Sequence, residues 1–209
     1  MKLICISDTH NKHGEIPIPD GDVLIHAGDI TEGGTEREVV DFLKWFSAQP
    51  HEHKIFIAGN HDFYFEKSSE EDIQKLIPEN VHYLKESDII IEGIKFWGSP
   101  ATPGDGTWAF NQKQEQEINK HWEQIPEDTK VLITHTPAYK IKDVLNNGTH
   151  IGCASLKKIF PNRKIEFHII GHVHGSYGIT TVSDTKFINA SCLDNEYRIL
   201  HKPLEIIID

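Results

Sequence analysis

Apolar residues fall in short, nearly unbroken runs at residues 3–6, 23–25, 54–57, 131–133 and 167–170, each rich in Ile and Val. Runs of that length without polar alternation predict strands covered on both faces. Between the second and third runs, Val39, Leu43 and Phe46 recur at helical spacing. Thr35 and Glu38 supply a capping-box pattern there, which predicts a helix over residues 35–46. Ser68 and Glu71 repeat the pattern ahead of Ile73, Leu76 and Ile77, and Pro78 marks the stop. Further helices are predicted over 114–124 and 154–160. The second half adds hairpin signals at 89–97 around Gly93 and at 177–189 around Ser183-Asp184-Thr185, then a closing strand at 204–208. Strand–helix alternation followed by hairpins predicts a mixed α/β core, sheet packed on sheet, with helices outside. Residues 98–111 form one long Gly/Pro/aromatic loop, a length that usually serves function.

The chain has 209 residues, and one domain over 1–209 is the expected organisation, large enough for a core without staples. The formal net charge of −11 disfavours a polyanion-coating role, so no nucleic-acid polymer is an expected partner. A small phosphorylated substrate remains open if bound divalent ions supply positive charge locally, because no dense Lys/Arg cluster does. Cys5, Cys153 and Cys192 are far apart, which argues against a disulfide framework or a zinc knuckle. Cys5 sits in the first apolar run and reads as a small core hydrophobe. No run reaches membrane-spanning length and the first is too short for a signal core, so cytoplasmic residence is the expectation. Histidine is the outlier, with 14 residues against one methionine, and only position decides what that means.

Position is informative. Asp8 and His10 follow the first run, Asp29 the second, Asn60-His61-Asp62 the third, His135 the fourth, and His172 and His174 the fifth. Open α/β sheets bind ligands outside the carboxyl ends of their strands, where these five segments would converge. Asp8/His10 and His172/His174 are each two apart, so extended backbone would turn both members of a pair to one side. Carboxylate, imidazole and amide oxygen without thiolate suit Mn²⁺, Fe²⁺ or Zn²⁺. Seven donors exceed one mononuclear centre and suit two ions sharing a carboxylate. Gly28, Gly59 and Gly171 would allow tight turns into the loops. Read singly, Asn60 is a turn residue and Asp29 a helix cap; the conjunction in order is what points to a metal site. His26 and His168 read as hydrogen-bonded core residues. His13, His51, His53, His82, His121, His150 and His201 read as surface or turn positions, and Asp105 and Asp143 as solvated.

The ordered set D-x-H, G-D, G-N-H-D, T-H and G-H-x-H resembles the calcineurin-like metallophosphoesterase superfamily over nearly the whole chain. The strings GDVLIHAGDITE, KIFIAGNHD, GHVHGSYG and INAS resemble its brain-type metallophosphodiesterases and their bacterial relatives. That resemblance implies a four-layer αββα sandwich, two mixed sheets flanked by helices, with a dinuclear site at the strand ends. It implies Asp8, His10, Asp29 and His174 on one ion, Asp29 bridging, and Asn60, His135 and His172 on the other. Mn²⁺ is the first expectation, with Fe, Zn, Ni or Co as alternatives. The reaction implied is phosphodiester hydrolysis by water activated between the ions, with cyclic nucleotides among the substrates. His61 would stabilise charge and protonate the leaving oxygen. Asp62 either orients that imidazole or caps a turn. Trp108, with Trp97 and Phe110 nearby, is a candidate to stack a nucleobase, or else packs beneath the loop. A phosphomonoesterase, a protein phosphatase and a catalytically silent metal-binding scaffold are the competing functions. After Asp29 many members carry a further acidic residue; here Glu32 is the residue available.

Overall fold

Successive side chains on a strand point to opposite faces, so each unbroken apolar run has to be covered twice. The computed structural model describes residues 1–208. Its first half contains strands β1 Lys2–Ile6, β2 Val23–Ala27, β3 His53–Ile57 and β4 His82–Tyr83, with helices α1 Glu36–Ser47, α2 Phe63–Lys67 and α3 Glu70–Leu76. The second half adds β5 Ser87–Ile91, β6 Ile94–Ser99, β7 Thr102–Pro103, β8 Asn111–Gln112, α4 Glu115–Glu123, β9 Val131–Thr134 and α5 Ala154–Lys157. It closes with β10 Phe167–Ile170, β11 Gly178–Val182, β12 Thr185–Asn189 and β13 Leu204–Ile207.

One sheet has the order β13-β1-β2-β3-β4, the other β11-β12-β10-β9-β6-β5. In each, the inner strands run parallel and antiparallel strands close the edges: β13 in the first, β11 and β5 in the second. Leu3, Cys5, Val23, Ile25, Ile55 and Ile57 face inward and meet Phe96, Val131, Ile133, Phe167, Ile169 and Ile188 of the second sheet. The alternate residues Ile4, Ile6, Leu24 and Phe56 face outward onto Val39, Phe42, Leu43 and Phe46 of α1, Phe65 of α2 and Ile73 of α3. On the far side, Trp97, Leu132 and Phe187 pack on Ile118 and Trp122 of α4 and on Leu156 of α5. The layers are therefore helix, sheet, sheet, helix, with three cores, as the apolar runs require.

Local signals largely set the elements. Thr35 and Glu38 form the capping box, each accepting from the other's backbone N–H. The hairpin from β5 to β6 turns through Glu92 and Gly93, both at positive φ, which suits the twist of the flanking strands. Four expectations need correction. The cap of α3 is Ser69, whose hydroxyl accepts from Asp72 N–H; Ser68 is occupied in closing α2, its N–H bonded to the Tyr64 carbonyl. The helix predicted to Phe160 stops at Lys157 and gives way to a 3₁₀ turn containing Pro161, whose missing N–H ends α-helical bonding. His13 and His51 are buried, His13 against Phe42 and Trp45 and His51 bonded to the Pro19 carbonyl. Asp143 is buried as well, and accepts from Lys140 N–H, Gly152 N–H and the His150 ring. Among the described residues, no helix is long and apolar enough to cross a membrane.

Candidate metal centre

The first sheet delivers Asp8 and His10 after β1, Asp29 after β2, and Asn60 and His61 after β3. The second delivers His135 after β9 and His172 and His174 after β10. Convergence does not come from extended backbone, as the two-residue spacing suggested. Asp8, His10, Asp29 and His172 all lie at left-handed φ, 53°, 40°, 55° and 67°. Side chains with a Cβ rarely adopt that region, and strained backbone of this kind collects where function requires it. His174 opens a 3₁₀ turn. Turns aim these donors; the strands only bring them near.

Two glycines permit the approach. A Cβ on Gly59 would stand 2.3 Å from Asp29 Oδ1, and one on Gly171 would stand 2.0 Å from Ser7 Oγ and 2.4 Å from Asp8 Oδ2. Neither has positive φ, so their role is close contact rather than the turn freedom expected of them. Gly28, at φ 97°, does supply that freedom.

Three groups of ligand atoms lie within 4.8 Å of one another: Asp8, His10 and His174; Asp29, His135 and His172; and His10, Glu32 and His61. Asp29 Oδ2 is 3.2 Å from His135 Nε2 and 3.8 Å from His10 Nε2, so this carboxylate stands between the first two groups. Asp8 Oδ1 lies 3.4 Å from His174 Nε2. Asn60 Oδ1 faces His135 Nε2 at 3.0 Å and His172 Nδ1 at 2.7 Å. All seven expected ligands are thus brought together.

Surrounding groups fix which ring nitrogen points inward. His135 Nδ1–H donates to the Ala27 carbonyl at 2.9 Å and His174 Nδ1–H to the Asp194 carbonyl at 3.0 Å, leaving each Nε2 for the centre. His61 Nδ1–H donates to the Glu32 carbonyl at 2.9 Å. Ser191 Oγ donates to Asp8 Oδ2 at 2.7 Å. Nothing in the sequence pattern marked these supports. Ala27, Glu32 and Asp194 act through backbone carbonyls, which every residue has; Ala27, Glu32 and Ser191 lie within strings that carry the family resemblance, yet nothing in those strings points to a supporting role.

Asp62 does not reach the imidazole of His61. Its carboxylate accepts from Gly59 N–H, Ile30 N–H, Thr31 N–H and Thr31 Oγ–H, tying the loop after β3 to the loop after β2. The imidazole is oriented by the Glu32 carbonyl instead. Asp62 is also not a side-chain cap of α2. Of the loop aromatics, Trp97 and Phe110 are buried, whereas Trp108 is 45% exposed and stacked on the His61 ring.

Burial pushes the Asp8 and Asp29 carboxyls up, but nearby imidazoles outweigh it and hold both well below the usual carboxylate range. The cations responsible are His174, His135 and His10; no Lys or Arg is among the main causes. Conversely, burial lowers His135 and His174, yet Asp29 and Asp8 respectively raise each to about 9. Burial draws His172 down to about 4. Burial and the charge of Asp29 lift Asp62 to about 6 against its four donors.

The donor set fits divalent ions. His10 is buried, yet neither ring nitrogen has a hydrogen-bond partner, a cost that a metal ligand would relieve. Among the described residues, the grouped donors are carboxylates and imidazoles, with no cysteine in any group.

Acidic and imidazole donors gathered at the carboxyl ends of two stacked sheets are the arrangement of a metal-dependent hydrolase. The calcineurin-like phosphoesterase family matches residues 1–176, and the chain belongs to it. Metallophosphoesterase domain-containing protein 1 of Homo sapiens is 35% identical over 228 residues, covering 98% of this chain and 70% of that protein. A UPF0046 protein of Caenorhabditis elegans is 38% identical over 226 residues, covering 98% of this chain and 79% of its own length. The fold matches the crystal structure of TT1561 from Thermus thermophilus with a TM-score of 0.59 at 10% identity, covering 90% of this chain and 88% of that one.

Proposed function

We propose that the protein is a dinuclear phosphodiesterase acting on small diesters, nucleotide diesters among them. Asp8, His10, Asp29 and His174 would hold one ion. Asp29 would be shared, and Asn60, His135 and His172 would complete the second, with Mn²⁺ as the first choice. The observation that carries this is the Asp29 carboxylate, one oxygen of which faces a histidine of each group. Bound divalent ions supply charge neutralisation at phosphate oxygens and lower the pKa of water.

The chain's own residues supply the rest. His61 is held by the Glu32 carbonyl through Nδ1, which leaves Nε2 to donate a proton to the departing oxygen. His10 and Asp29 lie at its edge, the former 4.6 Å away between ring centroids and the latter bonded to its backbone N–H. A diester carries one negative charge and a monoester two. The basic groups next to Asp8 and Asp29 are histidines, and the Glu32 carboxylate stands 3.4 Å from His10 Nδ1 at the open side. The Glu32 carboxylate would repel a second negative charge on the substrate, which supports the diester reading.

Metal analysis after Mn²⁺ loading is expected to give two equivalents per chain, together with faster turnover of bis-nitrophenyl than mono-nitrophenyl phosphate. A single equivalent at saturation would remove the dinuclear reading, and the reverse preference would point to a phosphomonoesterase. His61→Ala should lower kcat by about 10²–10⁴-fold with metal content retained; near-normal kcat would remove its role as acid.

A further inference from the structure

Four rings stand in a row at the centre. Trp108 stacks on His61 at 4.5 Å between centroids, His61 meets His10 edge-on at 4.6 Å, and His10 meets Tyr197 at 4.9 Å. The two histidines are buried, whereas Trp108, which also stacks near Phe63 at 6.2 Å, and Tyr197 stay 45% and 37% exposed. Tyr197 also lies 5.2 Å from His174. Two partly exposed aromatic rings therefore border the same site from different segments of the chain.

Tyr197 is held there against its own backbone preference. Its φ is 59°, a region that bulky residues rarely enter. The turn that imposes this is tied at several points. The Asp194 carbonyl accepts from Tyr197 N–H at 2.9 Å and from His174 Nδ1–H at 3.0 Å. The Asp194 carboxylate accepts from the N–H groups of Glu196 and Arg198 and from the Arg198 guanidinium. The Lys12 ammonium donates to the Tyr197 carbonyl. One short turn thus orients a metal-binding histidine and presents an aromatic ring beside it.

We propose that Tyr197 determines specificity by receiving the retained arm of a phosphodiester while Trp108 receives the departing arm. The preferred substrates are then diesters with a planar ring on both arms. This rests on the phosphodiesterase reading above. In the reaction, a water oxygen bonds to phosphorus, the bond from phosphorus to the departing oxygen breaks, and that oxygen takes its proton from His61. The arm leaving toward His61 lies against the ring stacked on His61, which is Trp108. An in-line displacement keeps the other arm off that axis, and the exposed ring beyond His10 that can receive it is Tyr197. A ring on each arm then meets a partly exposed aromatic ring, whereas a cyclic diester or an alkyl arm meets only one.

The test compares bis-nitrophenyl phosphate with methyl nitrophenyl phosphate, which share a leaving group and differ in the retained arm. On the Mn²⁺-loaded protein, Tyr197→Ala should raise KM for the bis-aryl diester about tenfold and leave the methyl diester within about twofold. Tyr197→Phe should retain the parent values. Trp108→Ala should raise KM for both substrates by a similar factor. Equal effects of Tyr197→Ala on the two substrates, or none, would overturn the assignment while leaving the phosphodiesterase reading intact. Absence of turnover on either diester by the parent protein carrying two ions would overturn both.

Discussion

His135 and His174 illustrate how single residues here are set by their neighbours. Burial disfavours the charged ring in each, but buried carboxylates 3.2 Å and 3.4 Å away raise both to about 9. Around pH 7 both rings hold protons that an arriving ion has to displace. Metal affinity is therefore expected to rise with pH up to about 9. Titration calorimetry at pH 7 in buffers of different ionisation enthalpy should show proton release on Mn²⁺ binding; buffer-independent heats would contradict it. In the metal-free protein the sign for stability is opposite. A raised histidine stabilises fully below its unfolded value, about 6.5, and that contribution is lost as pH climbs through about 9.

At the scale of elements, the centre depends on loops locked to one another more than on the strands that carry them. Asp62 is the clearest case. Its carboxylate takes four donors, three of them backbone or hydroxyl groups of Ile30 and Thr31 in the loop that follows Asp29. Asp62→Asn turns one acceptor oxygen into an amide NH2 that faces other donors and leaves buried donors without a partner. The expected cost is about 2–4 kcal/mol, a fall in Tm of roughly 5–15 °C for a chain of this size. Thermal unfolding followed by circular dichroism measures it. A variant melting within about 2 °C of the parent, less than the loss of one buried hydrogen bond would produce, would mean the brace is dispensable.

On the scale of the molecule, stability lies in the layers and chemistry lies where the two sheets share an end. Ile25 points into the core between the sheets, so Ile25→Ala is expected to destabilise by about 2–5 kcal/mol. Leu200, 65% exposed, should change stability by less than about 0.5 kcal/mol when replaced by Ser. Urea unfolding of both variants checks the contrast, and comparable losses would mean the layer assignment is wrong. With charge −11 overall, attraction for an anionic substrate has to come from the centre itself, because the surface at large repels it.

Local pattern along the chain was enough to define the runs that became β1, β2, β3, β9 and β10, the capping box of α1 and the hairpin at Gly93. The seven candidate donors each follow a buried run, so their gathering at one end of the sheets was legible too, with Asn60 and His135 resting mainly on the family resemblance. Burial of an apolar run and the chemistry of a side chain do not depend on distant partners, which is why they can be read locally. How the donors meet was settled in three dimensions. Left-handed turns at Asp8, His10, Asp29 and His172 and the bare Cα atoms of Gly59 and Gly171 set that geometry. Asp62 looked like a partner of the adjacent His61, yet it binds a loop some thirty residues earlier, and a backbone carbonyl at Glu32 does the orienting. Tyr197 carries no motif in its neighbourhood, and only the turn at Asp194 brings its ring to His10 and His174. Such contacts join segments far apart in the chain, and many use main-chain atoms that all residues share, so composition and spacing contain no trace of them.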